Sequence, residues 1–140
     1  MAKPIILIIE QNPATLQGLV SAFVRTACYT VYSSRSHEGA LLLLSNYRGT
    51  IQPNVIITYY GGLARDLRRF IQNVRRGSPN TKIIIFSENP MISNDYPVAE
   101  IINQSEPEGI DILLHRVGPL IYQSAQASKS AKQRAAPPTA

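Results

Sequence analysis

Ile5-Ile6-Leu7-Ile8-Ile9-Glu10-Gln11-Asn12-Pro13 is the stretch on which the fold turns. Its first half is apolar at successive positions and mostly β-branched, with no polar alternation. A strand of that kind is buried on both faces, which places it inside a parallel sheet covered by helices on each side. Asn12-Pro13 then ends the strand and opens a helix. Asn is a preferred N-cap, and Pro suits the first turn because its fixed φ is already helical and its missing N–H would be unpaired there. Leu16, Leu19, Val20, Phe23, Val24 and Ala27 give that helix a single apolar stripe.

The same unit recurs along the chain. Residues 29–33 read as a second strand. Ser36 can cap a helix whose inner face carries Ala40, Leu41, Leu44 and Tyr47. A third strand follows Pro53 over 54–59. The next helix, over 63–76, turns Leu67, Ile71 and Val74 inward and is stopped by Gly77-Ser78-Pro79-Asn80. Residues 82–86 form a fourth apolar strand and 99–103 a shorter fifth. Between them, 88–98 contains Pro90 and Pro97, which leaves little room for a helix. The last helix begins near Pro107 or Glu108 and shows a seam of Ile110, Leu113, Leu114, Val117, Leu120 and Ile121, with Gly118-Pro119 expected to kink or interrupt it. This alternation predicts an α/β fold: a flavodoxin-like (βα)5 doubly wound parallel sheet in the order 2-1-3-4-5, with a reduced or missing fourth helix. Such sheets bind at the carboxyl ends of their strands. The residues to watch are therefore Glu10-Gln11-Asn12, Tyr59-Tyr60-Gly61, Ser87 and Gln104.

Composition narrows the function. The chain has 140 residues, 44% of them hydrophobic, which suits one domain. No apolar run is long enough for a membrane span or a signal-peptide core, so a cytoplasmic protein with no membrane partner is expected. The lone Cys28 can form no internal disulfide and is expected to be buried after the first helix. The net charge of +5 falls to +2 for residues 1–123 once Lys129, Lys132 and Arg134 are set aside. Residues 124–140 lack apolar periodicity and end in Pro-rich sequence. They are expected to form a disordered basic tail behind a 1–123 domain.

At this point a resemblance emerges. The 6–13 stretch is similar to the first strand and acidic loop of response-regulator (CheY-like) receiver domains of bacterial two-component signal transduction. Residues 53–59 resemble the strand that ends in the phosphoacceptor Asp, 83–87 the strand that ends in Ser or Thr, and 101–105 the region of the switch aromatic and the Lys-Pro pair. The resemblance covers roughly 3–123, and its departures define a degenerate pseudo-receiver. Glu10 retains one acid of the acidic pair and Gln11 replaces the other. Tyr59 stands where the resemblance puts the phosphoacceptor. Ser87 keeps the hydroxyl, Gln104 replaces the Lys and Ile101 the aromatic. A one-residue slip in alignment offers only Thr58 or Tyr60. Phosphoryl transfer to Asp needs a carboxylate nucleophile and a Mg²⁺ held by oxygen ligands. Each carboxylate lost from such a pocket removes roughly several kcal/mol of attraction for the ion at close range. Tyr, with a reference pKa of about 10, is neutral at pH 7 and substitutes poorly.

These features imply no enzyme, no catalytic or metal-binding residues and no cofactor, but a phosphorylation-independent regulatory module that binds a protein partner. Other readings remain beside it. Arg65, Arg68, Arg69, Arg75 and Arg76 cluster on the third helix, and Arg65, Arg69, Gln72 and Arg76 share one stripe. That face would dock an acidic protein or, with the basic tail, nucleic-acid phosphate; its plain alternative is a solvated surface. Tyr59 is expected to fill the vacated pocket, and Tyr60 to be an interface residue. The last helix's seam could instead build a homodimer. His37 and His115 lie on separate helices and are not expected to act in catalysis or metal binding. Gly61-Gly62 reads as a turn.

Overall fold

The apolar 5–9 run is the central strand of a parallel sheet. In this computed structural model, which describes residues 3–46, 52–59, 64–87, 100–103 and 109–135, β1 (Ile5–Ile9) pairs on one side with β2 (Thr30–Ser34) and on the other with β3 (Val55–Thr58). β4 (Lys82–Ser87) and β5 (Glu100–Asn103) extend the sheet, giving the order β2-β1-β3-β4-β5. The helices between them are α1 (Pro13–Arg25), α2 (His37–Asn46), α3 (Ala64–Gly77) and α4 (Gly109–Ala135).

Strand alternation sorts the core into two layers. Ile6, Ile8, Val55, Ile57, Ile84 and Phe86 face Leu19 and Phe23 of α1 and Leu113, Val117 and Leu120 of α4. Leu7, Ile9, Ile56, Ile83 and Ile85 face the other way, onto Ala40 of α2 and Leu67, Phe70, Ile71 and Val74 of α3. Each fully buried side chain of this size contributes about 1.5–3 kcal/mol of transfer free energy, so the continuous apolar strands supply most of what holds the layers together. The amino edge of the sheet is closed by polar staples. Asn54 Oδ1 accepts from the Ile5 N–H at 3.0 Å, and the buried Thr81 hydroxyl donates to the Pro53 carbonyl at 2.6 Å.

Four expectations change. Cys28 is exposed, not buried, because Ala27 adopts φ 57° and turns the chain outward as α1 ends. α3 runs one residue further than expected, through Gly77. Of the kink or interruption expected at Gly118-Pro119, the interruption does not occur, since α4 is one helix there; Pro119 and His115, whose carbonyl the proline cannot serve, are both exposed to water. Finally, the disordered basic tail expected over 124–140 is corrected over 124–135, which continues α4 as helix. Ala, Gln and Lys extend an already nucleated helix at little cost without needing an apolar stripe. The expected reduction of the fourth helix, over 88–98, lies outside the described residues, as do Tyr47 and Leu63.

Candidate functional site

Register brings three strand ends to one edge. Ile9 is level with Ser34 on β2 and with Thr58 on β3, and Thr58 is level with Ile85 on β4. Glu10 and Tyr59 therefore leave the sheet side by side. The Glu10 N–H donates to the Ser34 carbonyl and the Tyr59 N–H to the Ile9 carbonyl, both at 3.0 Å.

Glu10 is only 7% exposed. Its Oε1 accepts the Asn12 N–H at 3.1 Å. Asn12 in turn caps α1, with Oδ1 accepting from the Ala14 and Thr15 N–H groups at 2.9 and 3.1 Å. The acid retained from the resemblance is thus tied to the loop that starts the first helix. Gln11, beside it, is exposed.

The third strand ends on a network that centres on His37, a residue not expected to act. Ser36 Oγ accepts the Gly39 N–H at 2.9 Å and so caps α2, which fixes His37 as its first residue. Gly39 leaves room here, since a Cβ would meet the Ser34 hydroxyl at 2.8 Å and force it to shift. The imidazole Nε2 lies 2.7 Å from Thr58 Oγ1, and the Thr58 hydroxyl donates to the Tyr59 carbonyl at 3.1 Å. Donor and acceptor in the His37–Thr58 contact follow the imidazole tautomer. Tyr59 is half-buried and stacks on the same imidazole, with centroids 4.8 Å apart and planes at 22°. Phe70 of α3 lies 4.8 Å from it, tilted by 44°. Burial, and then the negative charge of Glu10, pushes the Tyr59 phenol above its ordinary pKa.

The chemistry available follows from this inventory. A histidine beside a hydroxyl resembles a base and its nucleophile, but Thr58 is fully buried and its proton goes to a backbone carbonyl. Mg²⁺ calls for octahedral oxygen ligands. Glu10 offers one carboxylate with an oxygen already accepting a backbone N–H, Tyr59 is a neutral phenol, and no three of His, Cys, Asp and Glu among the described residues gather around a common point. These residues do not fit a receiver-type magnesium ion.

Of the residues singled out from the sequence, Glu10, Gln11 and Tyr59 are brought to one edge, and Ser87 ends the adjacent β4 level with Asn103. Tyr60 and Gln104 lie outside the described residues. Arg65 falls within α3, and Arg68, Arg69, Arg75 and Arg76 are exposed along it. His37 and Thr58 were missed as partners of Tyr59. A signal existed, since a helix-opening residue after β2 always faces the same edge as the end of β3 in this topology.

No family model and no curated protein matches the sequence. Solved structures do match. The chain is similar to the signal receiver domain of an HD domain-containing protein from Pseudomonas fluorescens Pf-5, at 16% identity and a TM-score of 0.76 over 92% of this chain and 94% of that one. It is similar to the adenylate cyclase of Rhodopirellula baltica, at 18% identity and 0.77 over 96% and 99%. It is also similar to the chemotaxis response regulator CheY4 of Vibrio cholerae, at 17% identity and 0.65 over 83% and 99%. What is shared at this level of identity is the fold, and it is the fold of response-regulator receiver domains.

Proposed function

We propose that the chain is a pseudo-receiver: a signalling or regulatory module that acts by binding another protein, independently of Asp phosphorylation and without enzymatic activity. The observation that carries this reading is Tyr59. It follows the last residue of β3, beside Glu10, and its ring is stacked on His37. A neutral phenol held there can neither accept a phosphoryl group as a carboxylate does nor draw in a divalent cation. The fold enters only as analogy, since one scaffold serves many functions; the argument rests on the chemistry of the edge. Titration with Mg²⁺ followed by amide NMR tests it. The expected result is no saturable shift at Glu10, Asn12 or Tyr59. A saturable shift at those amides in the millimolar range or below would count against the proposal.

A further inference from the structure

We infer that the outer face of α3 docks an acidic amphipathic helix of a partner protein; this deepens the interaction reading above and rests on it. α3 divides its residues sharply. Leu67, Phe70, Ile71 and Val74 are buried, whereas Arg68, Arg69, Arg75 and Arg76 are exposed. At 3.6 residues per turn those four arginines fall within an arc of about 120°, turned away from the sheet. The charge is local. Residues 64–77 carry five Arg against one Asp, a net +4, while 1–123 as a whole nets +2, so everything else in that range sums to −2.

Spacing selects the partner. The pairs 68/69 and 75/76 stand seven residues apart, about 10 Å along the axis. A helix laid alongside presents carboxylates at the same interval when its acids recur every seventh residue. Guanidinium forks match carboxylates in a bidentate way, which favours arginine at such a contact. Leu42 adds a second feature. It is 63% exposed on α2, the helix packed against α3 in the same layer. A helix with an apolar stripe beside its acidic one uses both the arginines and Leu42. A phosphate backbone uses only the arginines.

The test is fluorescence anisotropy at low salt on the full chain with three probes. The first is a labelled helical peptide with paired Glu every seventh residue and an adjacent Leu stripe. The second has the same composition in shuffled order, and the third is a short DNA duplex. The heptad peptide is expected to bind more tightly than the other two. R69E with R76E should weaken it by about tenfold or more and should confer binding of the same peptide with Lys in place of Glu. L42S should also weaken the heptad peptide. R69K with R76K, which keeps the charge but not the fork, should fall between wild type and the reversal. All these positions are exposed, and circular dichroism checks that each variant is folded. Equal binding of the heptad and shuffled peptides, or no binding of either, overturns the inference. Tighter binding of the duplex overturns it in favour of nucleic acid. No readout depends on phosphorylation, so failure here leaves the phosphorylation-independent reading standing.

Discussion

Thr58 and Tyr59 show how much one strand end can commit. Thr58 is fully buried, and its hydroxyl lies 2.7 Å from His37 Nε2 and donates to the Tyr59 carbonyl. Thr58→Val keeps the shape and removes both bonds, leaving the half-buried imidazole without its Thr58 partner. Urea unfolding should show a loss of about 1–3 kcal/mol. Tyr59 yields a prediction in pH. Its folded pKa is raised by burial first and by Glu10 second, above the unfolded value of about 10. Below about pH 10 both states are neutral and the full stability is present; as pH rises through the folded pKa, the unfolded chain ionises more readily and stability falls. Tyr59→Phe should therefore lose less stability on alkalinisation than the wild type, as read from unfolding midpoints followed from neutral to alkaline pH. Tyr29, also raised, remains in both proteins and accounts for the common part of the fall. At this scale the sequence was partly legible. Glu10 and Tyr59 were singled out from the sequence, and the strand register sets them side by side at one edge. The role of His37 did not show, because its contact with Thr58 spans 21 residues and depends on how α2 meets β3.

The elements repeat this division between local and non-local information. Asn12-Pro13 and Ser36 were readable as helix starts because capping is a short-range interaction, and both caps form. The continuous apolar runs were readable as buried strands. The continuity of α4 was not, because proline's local cost was weighed without the packing that offsets it. Leu113, Val117 and Leu120 are buried against the sheet on both sides of the Gly118-Pro119 pair, and that seam carries the helix through. Pro119 still lacks its donor. Proline is about 3 kcal/mol less favourable than alanine inside a helix, and restoring unfolded-chain entropy takes back about 0.4–1 kcal/mol. Pro119→Ala, at an exposed position, should stabilise the protein by roughly 2 kcal/mol, with a higher thermal midpoint and an unchanged sheet signature in circular dichroism.

For the whole molecule, the two layers leave different surfaces. One face of the sheet is covered by α1 and α4 and the other by α2 and α3, whose outer side gathers the arginines. The carboxyl edge joins the layers through Glu10, Tyr59 and His37. A receiver fold with that edge is proposed to signal by what it binds rather than by what it accepts. No helix among the described residues is long and apolar enough to cross a membrane. The most direct measurement of the central claim is intact-mass spectrometry of the full chain after incubation with acetyl phosphate and Mg²⁺. The account predicts an unchanged mass. An added phosphoryl group that maps to an aspartate would contradict it.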